Sequence, residues 1–277
     1  MSVYAHPEVL IDTQWVAEHL KDPTVRIVEV GVNTQAYDSG HIHGAVCWDI
    51  YRDFLQSDMI IIDKATFENL LSRSGITNNM TVILYSYGNM PAALVFWALR
   101  LYGHEKLQLL NGGRKKWLDE SRPITTDAFT YSPTTYTAKA PDGSIHAPRA
   151  YVQESIHKAN RVIIDVRNSQ EYAGEMFWPN RPPQAGERAG HIPDAVHIPY
   201  EMALNDDGAF KNIEELQVLY SSKGITPDKE AITYCTVGGR SCHTWFVLTY
   251  LLGYPKAREY QESWYEWGRL PDTPIEK

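Results

Sequence analysis

The chain has 277 residues, 43% of them apolar, which at ~100–200 residues per domain is enough for two ordinary cores. A formal net charge of −8 argues against nucleic-acid or anionic-membrane partners, which need a basic face, and leaves small anions as ligands only where charge is locally positive. Three widely spaced cysteines (Cys47, Cys235, Cys242) make no disulfide framework, the opening stretch lacks a signal-peptide pattern, and no apolar run could span a bilayer, so a reducing, cytoplasmic setting is expected.

In chain order, TQWVAEHL (13–20) reads as a helix and VRIVEV (25–30) as a buried strand, followed by AYDSGHIHGAV at 36–46. ATFENLLSRS (65–74) is helical, TVILYS (81–86) is a second strand, and PAALVFWALRLYG (91–103) is an apolar helix ending on glycine. NGGRKKW closes this half at 111–117; its glycines lack the spacing of a phosphate-binding loop. Residues 123–148 are rich in Pro, Thr and Ser without helical period and read as an extended linker lying against both halves. The pattern then begins again. RVIIDV (161–166) is a strand, GHIPDAV stands at 190–196, NIEELQVLYSSKG (212–224) is a helix, AITYC (231–235) a strand, SCHTWFVLTYLLG (241–253) a helix, and QESWYEW closes at 261–267.

Gly40 and Gly190 stand 150 residues apart, as do Gly103 and Gly253, and Trp117 and Trp267; Gly75 and Gly224 stand 149 apart. So steady an offset indicates duplication of a whole domain. Strands alternating with helices predict a parallel sheet flanked by helices on both faces in each half. The expected division is 1–122, a linker at 123–148, and 149–277. Residues 175–189, with three prolines, have no counterpart in the first half and read as surface elaboration or a lid.

CTVGGRS, Cys235 to Ser241, carries the candidate chemistry. In an open parallel sheet, ligands sit beyond the carboxyl ends of the strands, where Cys235 falls. Backbone N–H groups of Thr236, Val237, Gly238 and Gly239 can form an anion-holding nest at the helix start, with Arg240 adding a charge and Ser241 as expected N-cap. Each of these favours a thiolate, and the thiolate is the nucleophile. A buried cysteine beside an ordinary turn would look similar, but the first half tests that. There the matching stretch is Tyr85-Ser86-Tyr87-Gly88-Asn89-Met90-Pro91, with neither cysteine nor arginine, so the fold does not demand them. Asp165 and Arg167 lie at the same sheet edge, and Asp165 is expected to orient Arg240. His41 and His191 recur in both halves and are expected to be structural. Cys242 is expected to pack in its helix, Trp245, Trp264 and Trp267 to fill core, and Trp178 is the better aromatic candidate for a site wall. No metal-ligand spacing is present.

CTVGGRS after a strand, GHIPDAV upstream, SWYEW at the close and the duplicated halves together resemble a tandem-domain rhodanese, a thiosulfate sulfurtransferase, over nearly the whole chain. The resemblance implies a catalytically inactive first domain and a catalytic second one. Cys235 would carry sulfane sulfur as a persulfide to cyanide or to a low-molecular-weight or protein thiol, with no cofactor. The C-x4-R spacing departs from the C-x5-R of related cysteine phosphatases. Thr236 stands where many thiosulfate-using relatives carry Arg, and CTVGGRS does not match the loop of 3-mercaptopyruvate sulfurtransferases. Glu171 and Gln184 occupy the places of that group's carboxylate-binding arginines. Glu171 is expected to repel a carboxylate donor, so thiosulfate is preferred. Arg181 and Arg188 in the insertion are the alternative source of charge. A persulfide carrier for a protein partner is the other reading.

Overall fold

The computed structural model describes residues 3–277 and resolves them into two compact α/β units. One comprises Glu8–Asp142 with Asn205–Phe210; the other comprises the segment ending at Pro7, Gly143–Leu204 and Lys211–Lys277. In the first, strands β1 (Leu10–Ile11), β2 (Val25–Gly31), β3 (Val46–Asp49), β4 (Thr81–Tyr85) and β5 (Leu107–Leu110) form a wholly parallel sheet in the order β1-β5-β4-β2-β3. Its helices are α1 (Thr13–Glu18), α2 (Gln35–Asp38), α3 (Lys64–Arg73), α4 (Met90–Leu101) and α5 (Gly113–Asp119). In the second, β6 (Arg161–Asp165), β7 (Val196–His197), β8 (Glu230–Tyr234) and β9 (Ala257–Glu259) pair in parallel in the order β7-β6-β8-β9. Its helices are α6 (Arg149–Ser155), α7 (Ser169–Tyr172), α8 (Ile213–Ser221), α9 (Gly239–Phe246) and α10 (Ser263–Trp267).

Central strands covered on both faces bury side chains of both parities, which is why VRIVEV and EAITY read as unbroken rather than alternating runs. Helix α4 is buried from Pro91 to Leu99, so it is apolar around its circumference rather than along one stripe. The short strands β1, β7 and β9, of two or three residues, carry no periodicity of their own and exist because a longer neighbour pairs with them.

The duplication extends to single hydrogen bonds. Tyr85 donates to Glu29 at 2.5 Å and accepts from the Ile42 amide at 3.1 Å; Tyr234 donates to Asp165 at 2.6 Å and accepts from the Ile192 amide at 3.1 Å. Trp117 Nε1 donates to the Pro123 carbonyl and Trp267 Nε1 to that of Pro274. His41 stacks on Tyr37, and His191 on Tyr172, in the same way.

Residues 123–142 pack within the first unit: the Tyr131 hydroxyl donates to the Gly44 carbonyl at 2.7 Å and the Lys139 amide to that of Tyr102 at 2.9 Å. Residues 143–148 pack within the second, where Ile145 and Ala147 exchange backbone hydrogen bonds with Glu259. The insertion is pinned by polar contacts. Arg181 pairs with Glu187 at 2.8 Å, and Arg188 donates to the carbonyls of Trp267, Leu270 and Thr273. Both arginines are therefore engaged in holding the insertion to its own unit.

Candidate active site

Strand β8 ends at Tyr234, and the chain turns through Cys235–Gly238 into α9. The turn closes because Gly238 adopts φ 91°, a left-handed conformation in which a Cβ is disfavoured. Gly238 is the N-cap residue and the helix starts at Gly239, so Ser241 lies inside the first turn. The expectation that Ser241 caps the helix is thus corrected: its Oγ lies 3.0 Å from the Gly238 carbonyl oxygen and 2.6 Å from Glu259 Oε1. The base of the loop is fastened by the turn before α10. The Cys235 amide donates to Ser263 Oγ at 3.0 Å, and the carbonyls of Cys235 and Thr236 accept from the amides of Trp264 and Tyr265, each at 3.0 Å. Cys235 is recessed beneath this ring, 1% exposed. Val237 and Gly239 are buried with it.

The charges at the loop are matched internally. Arg240 donates to Glu171 at 2.6 and 2.8 Å and to Thr236 Oγ1 at 2.6 Å, while the Thr236 hydroxyl donates to Glu171 at 2.8 Å. Burial works against the Arg240 charge, but Glu171, together with the nearby Cys235 and Asp165, more than offsets it, and the pKa of Arg240 is raised. Two expectations change as a result. Arg240 is not oriented by Asp165, and Glu171 is not a free anion poised to repel a carboxylate, because the guanidinium covers it. Asp165 instead lies fully enclosed, bound to Arg167 at 2.6 Å and to the Tyr234 hydroxyl at 2.6 Å. Burial alone would raise the Asp165 pKa; Arg167 reverses this and holds the carboxyl below its ordinary value. Asp165 therefore braces the sheet edge through Arg167, which also donates to the Gly190 carbonyl at 2.7 Å.

The first unit shows the same turn without the cysteine and the arginine. Asn89 is the left-handed N-cap of α4 at φ 61°, as Gly238 is of α9. Ser86 occupies the place of Cys235, and its Oγ accepts from the Ala92 amide at 3.3 Å. The amide matching Ala92 in the second unit is that of Ser241. Ala36 and Pro91 stand where the second unit has Glu171 and Arg240, so both members of that ion pair are missing together.

Cys242 is wholly buried in α9, where burial pushes its thiol well above the ordinary range. Burial likewise raises the Cys47 thiol to about 12. His41 and His191 are held by backbone carbonyls, Tyr37 and Tyr172 respectively, as structural residues are. Trp178 meets the edge of Tyr265, whose amide holds the Thr236 carbonyl. Among the described residues there is no group of three or more His, Cys, Asp or Glu side chains arranged to hold a metal ion. Three residues now stand at the loop that sequence reasoning did not place there: Ser263, Glu171 as the partner of Arg240, and Glu259. The signal for Glu259 was available, since the position matching it in β5 is Leu109.

Fold and site together define a chain of two repeated parallel α/β units, one of which carries a buried cysteine in the loop beyond a central strand. The rhodanese-like domain model matches residues 12–120 and 149–270, and the chain belongs to that family. It is 47% identical over 282 residues to "Sulfur carrier protein TtuD" of Thermus thermophilus, covering 99% of this chain and 98% of that protein. It is 44% identical over 282 residues to "Putative thiosulfate sulfurtransferase" of Mycolicibacterium smegmatis, covering 98% and 99%. Among solved structures, wild-type EanB superimposes with a TM-score of 0.91 at 24% identity, covering 100% of this chain and 71% of that one, a likeness of fold. No helix among the described residues is long and apolar enough to cross a membrane.

Proposed function

We propose that the chain is a sulfurtransferase whose second unit moves sulfane sulfur from thiosulfate to cyanide or a thiol acceptor through a persulfide on Cys235, while the first unit is catalytically inactive. One observation carries this reading: two halves that repeat each other down to single hydrogen bonds diverge at the loop, where Cys235 with the Arg240–Glu171 pair replaces Ser86 with Pro91 and Ala36. The similarity to "Putative thiosulfate sulfurtransferase" over the whole chain supports thiosulfate as donor.

In the proposed cycle the Cys235 thiolate attacks the outer sulfur of thiosulfate. The sulfur–sulfur bond of the donor breaks, and sulfite leaves with the bonding pair. The new persulfide anion lies among the amides of residues 236–241, where the ring and the start of α9 favour negative charge. Cyanide or a thiolate then attacks the outer sulfur, and Cys235 departs as thiolate. Arg240 and Thr236 shape the ring through Glu171, so the amides, rather than a free guanidinium, meet the anion.

The second reading, a persulfide carrier for a protein partner, is supported by the 47% identity to "Sulfur carrier protein TtuD". Loading lengthens the side chain by one sulfur–sulfur bond, ~2 Å, which brings the transferable atom out of its recess. Intact-mass spectrometry after thiosulfate tests both: one added sulfur is expected on the wild type and none on Cys235→Ala. Turnover with cyanide then separates enzyme from carrier, and initial rates with 3-mercaptopyruvate against thiosulfate identify the donor. Absence of the mass shift with either donor removes the proposal.

A further inference from the structure

Glu259 sits directly behind the loop. It ends β9, its side chain is wholly buried, and Oε2 has no hydrogen-bond partner. Its one side-chain hydrogen-bond partner is Ser241 Oγ, at 2.6 Å. Ser241 Oγ is also 3.0 Å from the Gly238 carbonyl oxygen. A serine hydroxyl has one hydrogen, so it cannot serve two oxygens that only accept. The count closes if Glu259 is a neutral acid: its O–H donates to Ser241 Oγ, and Ser241 O–H donates to the Gly238 carbonyl. Desolvation points the same way, because an unpaired buried carboxylate is costly and the neutral form is the usual escape. Burial raises the Glu259 pKa well above its ordinary value, and the negative charges of Cys235 and Glu262 add to the effect.

No cation faces it. On α9, Arg240 is committed to Glu171, Cys242 is a buried thiol, and His243 is held neutral by burial, its pKa lowered to about 3. In the turn before α10, Glu262 pairs with His146 at 3.1 Å. On β9 itself, Arg258 is paired with Glu230. The fold does not require this arrangement, since the first unit fills the two positions with Ala92 and Leu109. A Ser–Glu pair has replaced an Ala–Leu pair behind the one ring that carries a cysteine.

We propose that Glu259 is a positioning residue for anionic sulfur donors: protonated, it fastens the loop through Ser241 and leaves the ring uncharged, and on losing its proton it closes the ring to anions. This rests on Cys235 as the nucleophile but not on the identity of the donor, and the test is chosen accordingly. Alkylation of Cys235 is followed by mass spectrometry with iodoacetate, an anion, and iodoacetamide, its neutral isostere, from pH 6 to 10. The ratio of the two rates cancels thiolate content and access, and reports charge in the ring.

In the wild type this ratio should fall by about fivefold or more as pH rises. In Glu259→Gln it should stay level. The double variant Ser241→Ala with Glu259→Leu, which copies the packing of the first unit, should also stay level and guards against misfolding of the single variant. The same contrast should appear in kcat/KM for thiosulfate. A level ratio in the wild type, or an equal fall in all three proteins, overturns the role of Glu259 while leaving the nucleophile in place. Failure of both reagents to label Cys235 overturns the nucleophile and the inference together.

Discussion

Glu171→Ala tests whether the loop is held by a matched charge pair. The Glu171 side chain is 0% exposed and that of Arg240 is 11%. The substitution removes four hydrogen bonds, two from Arg240, one from Thr236 and one from the Asn168 amide at the start of α7, and leaves the guanidinium with Thr236 Oγ1 as its remaining hydrogen-bond partner. Removing one partner of a buried ion pair costs about 3–5 kcal/mol, chiefly because the other charge stays buried. Deleting both should cost much less than the sum of the single losses, since the first unit packs the same corner with Ala36 and Pro91 and no charge. The expected coupling between Glu171→Ala and Arg240→Ala is therefore about 2–3 kcal/mol. Urea titration read by amide exchange in β6 and β8 confines the measurement to the second unit. If the two single losses add to within about 0.5 kcal/mol, the pair is not what holds the loop, and the reasoning fails.

Three further outcomes follow from the geometry. Ser263→Ala removes the oxygen that accepts from the Cys235 amide at 3.0 Å; it should cost about 1–3 kcal/mol and slow persulfide loading, as read by the same mass shift. His104 is buried between the Tyr136 hydroxyl and the Met80 carbonyl, and burial lowers its pKa to about 4. The unfolded chain takes up that proton first, so the contribution is complete above pH ~6.5 and is lost as pH falls towards 4, at most about 3 kcal/mol. His104→Gln should flatten that part of the stability profile, and an unchanged slope would show that His104 is not buried in its neutral form. Arg167→Ala strands Asp165, wholly buried beside it, and should destabilise β6 by about 3–5 kcal/mol, measured by exchange of the Ile163 and Ile164 amides; a loss under 1 kcal/mol would refute the bracing role.

The sequence by itself determined the duplication, the parallel α/β class, the place of Cys235 at a strand end and the family. Each of these is written in local pattern: β-branched runs, glycines past helix ends, and a near-constant offset between matching residues. What only the tertiary structure decided is who faces whom. Asp165 and Glu171 are both acids near the loop in sequence terms, and nothing local shows that Arg167 takes the first and Arg240 the second. Ser241 is as good an N-cap as any until Gly238, at φ 91°, starts the helix earlier and turns the hydroxyl towards Glu259. Glu259 itself sits on a three-residue strand whose register with β8 places an acid behind the loop of Cys235. Pairing between strands and the desolvation that comes with it act over distances in space, so they give a carboxyl its protonation and its partner only after the chain has folded.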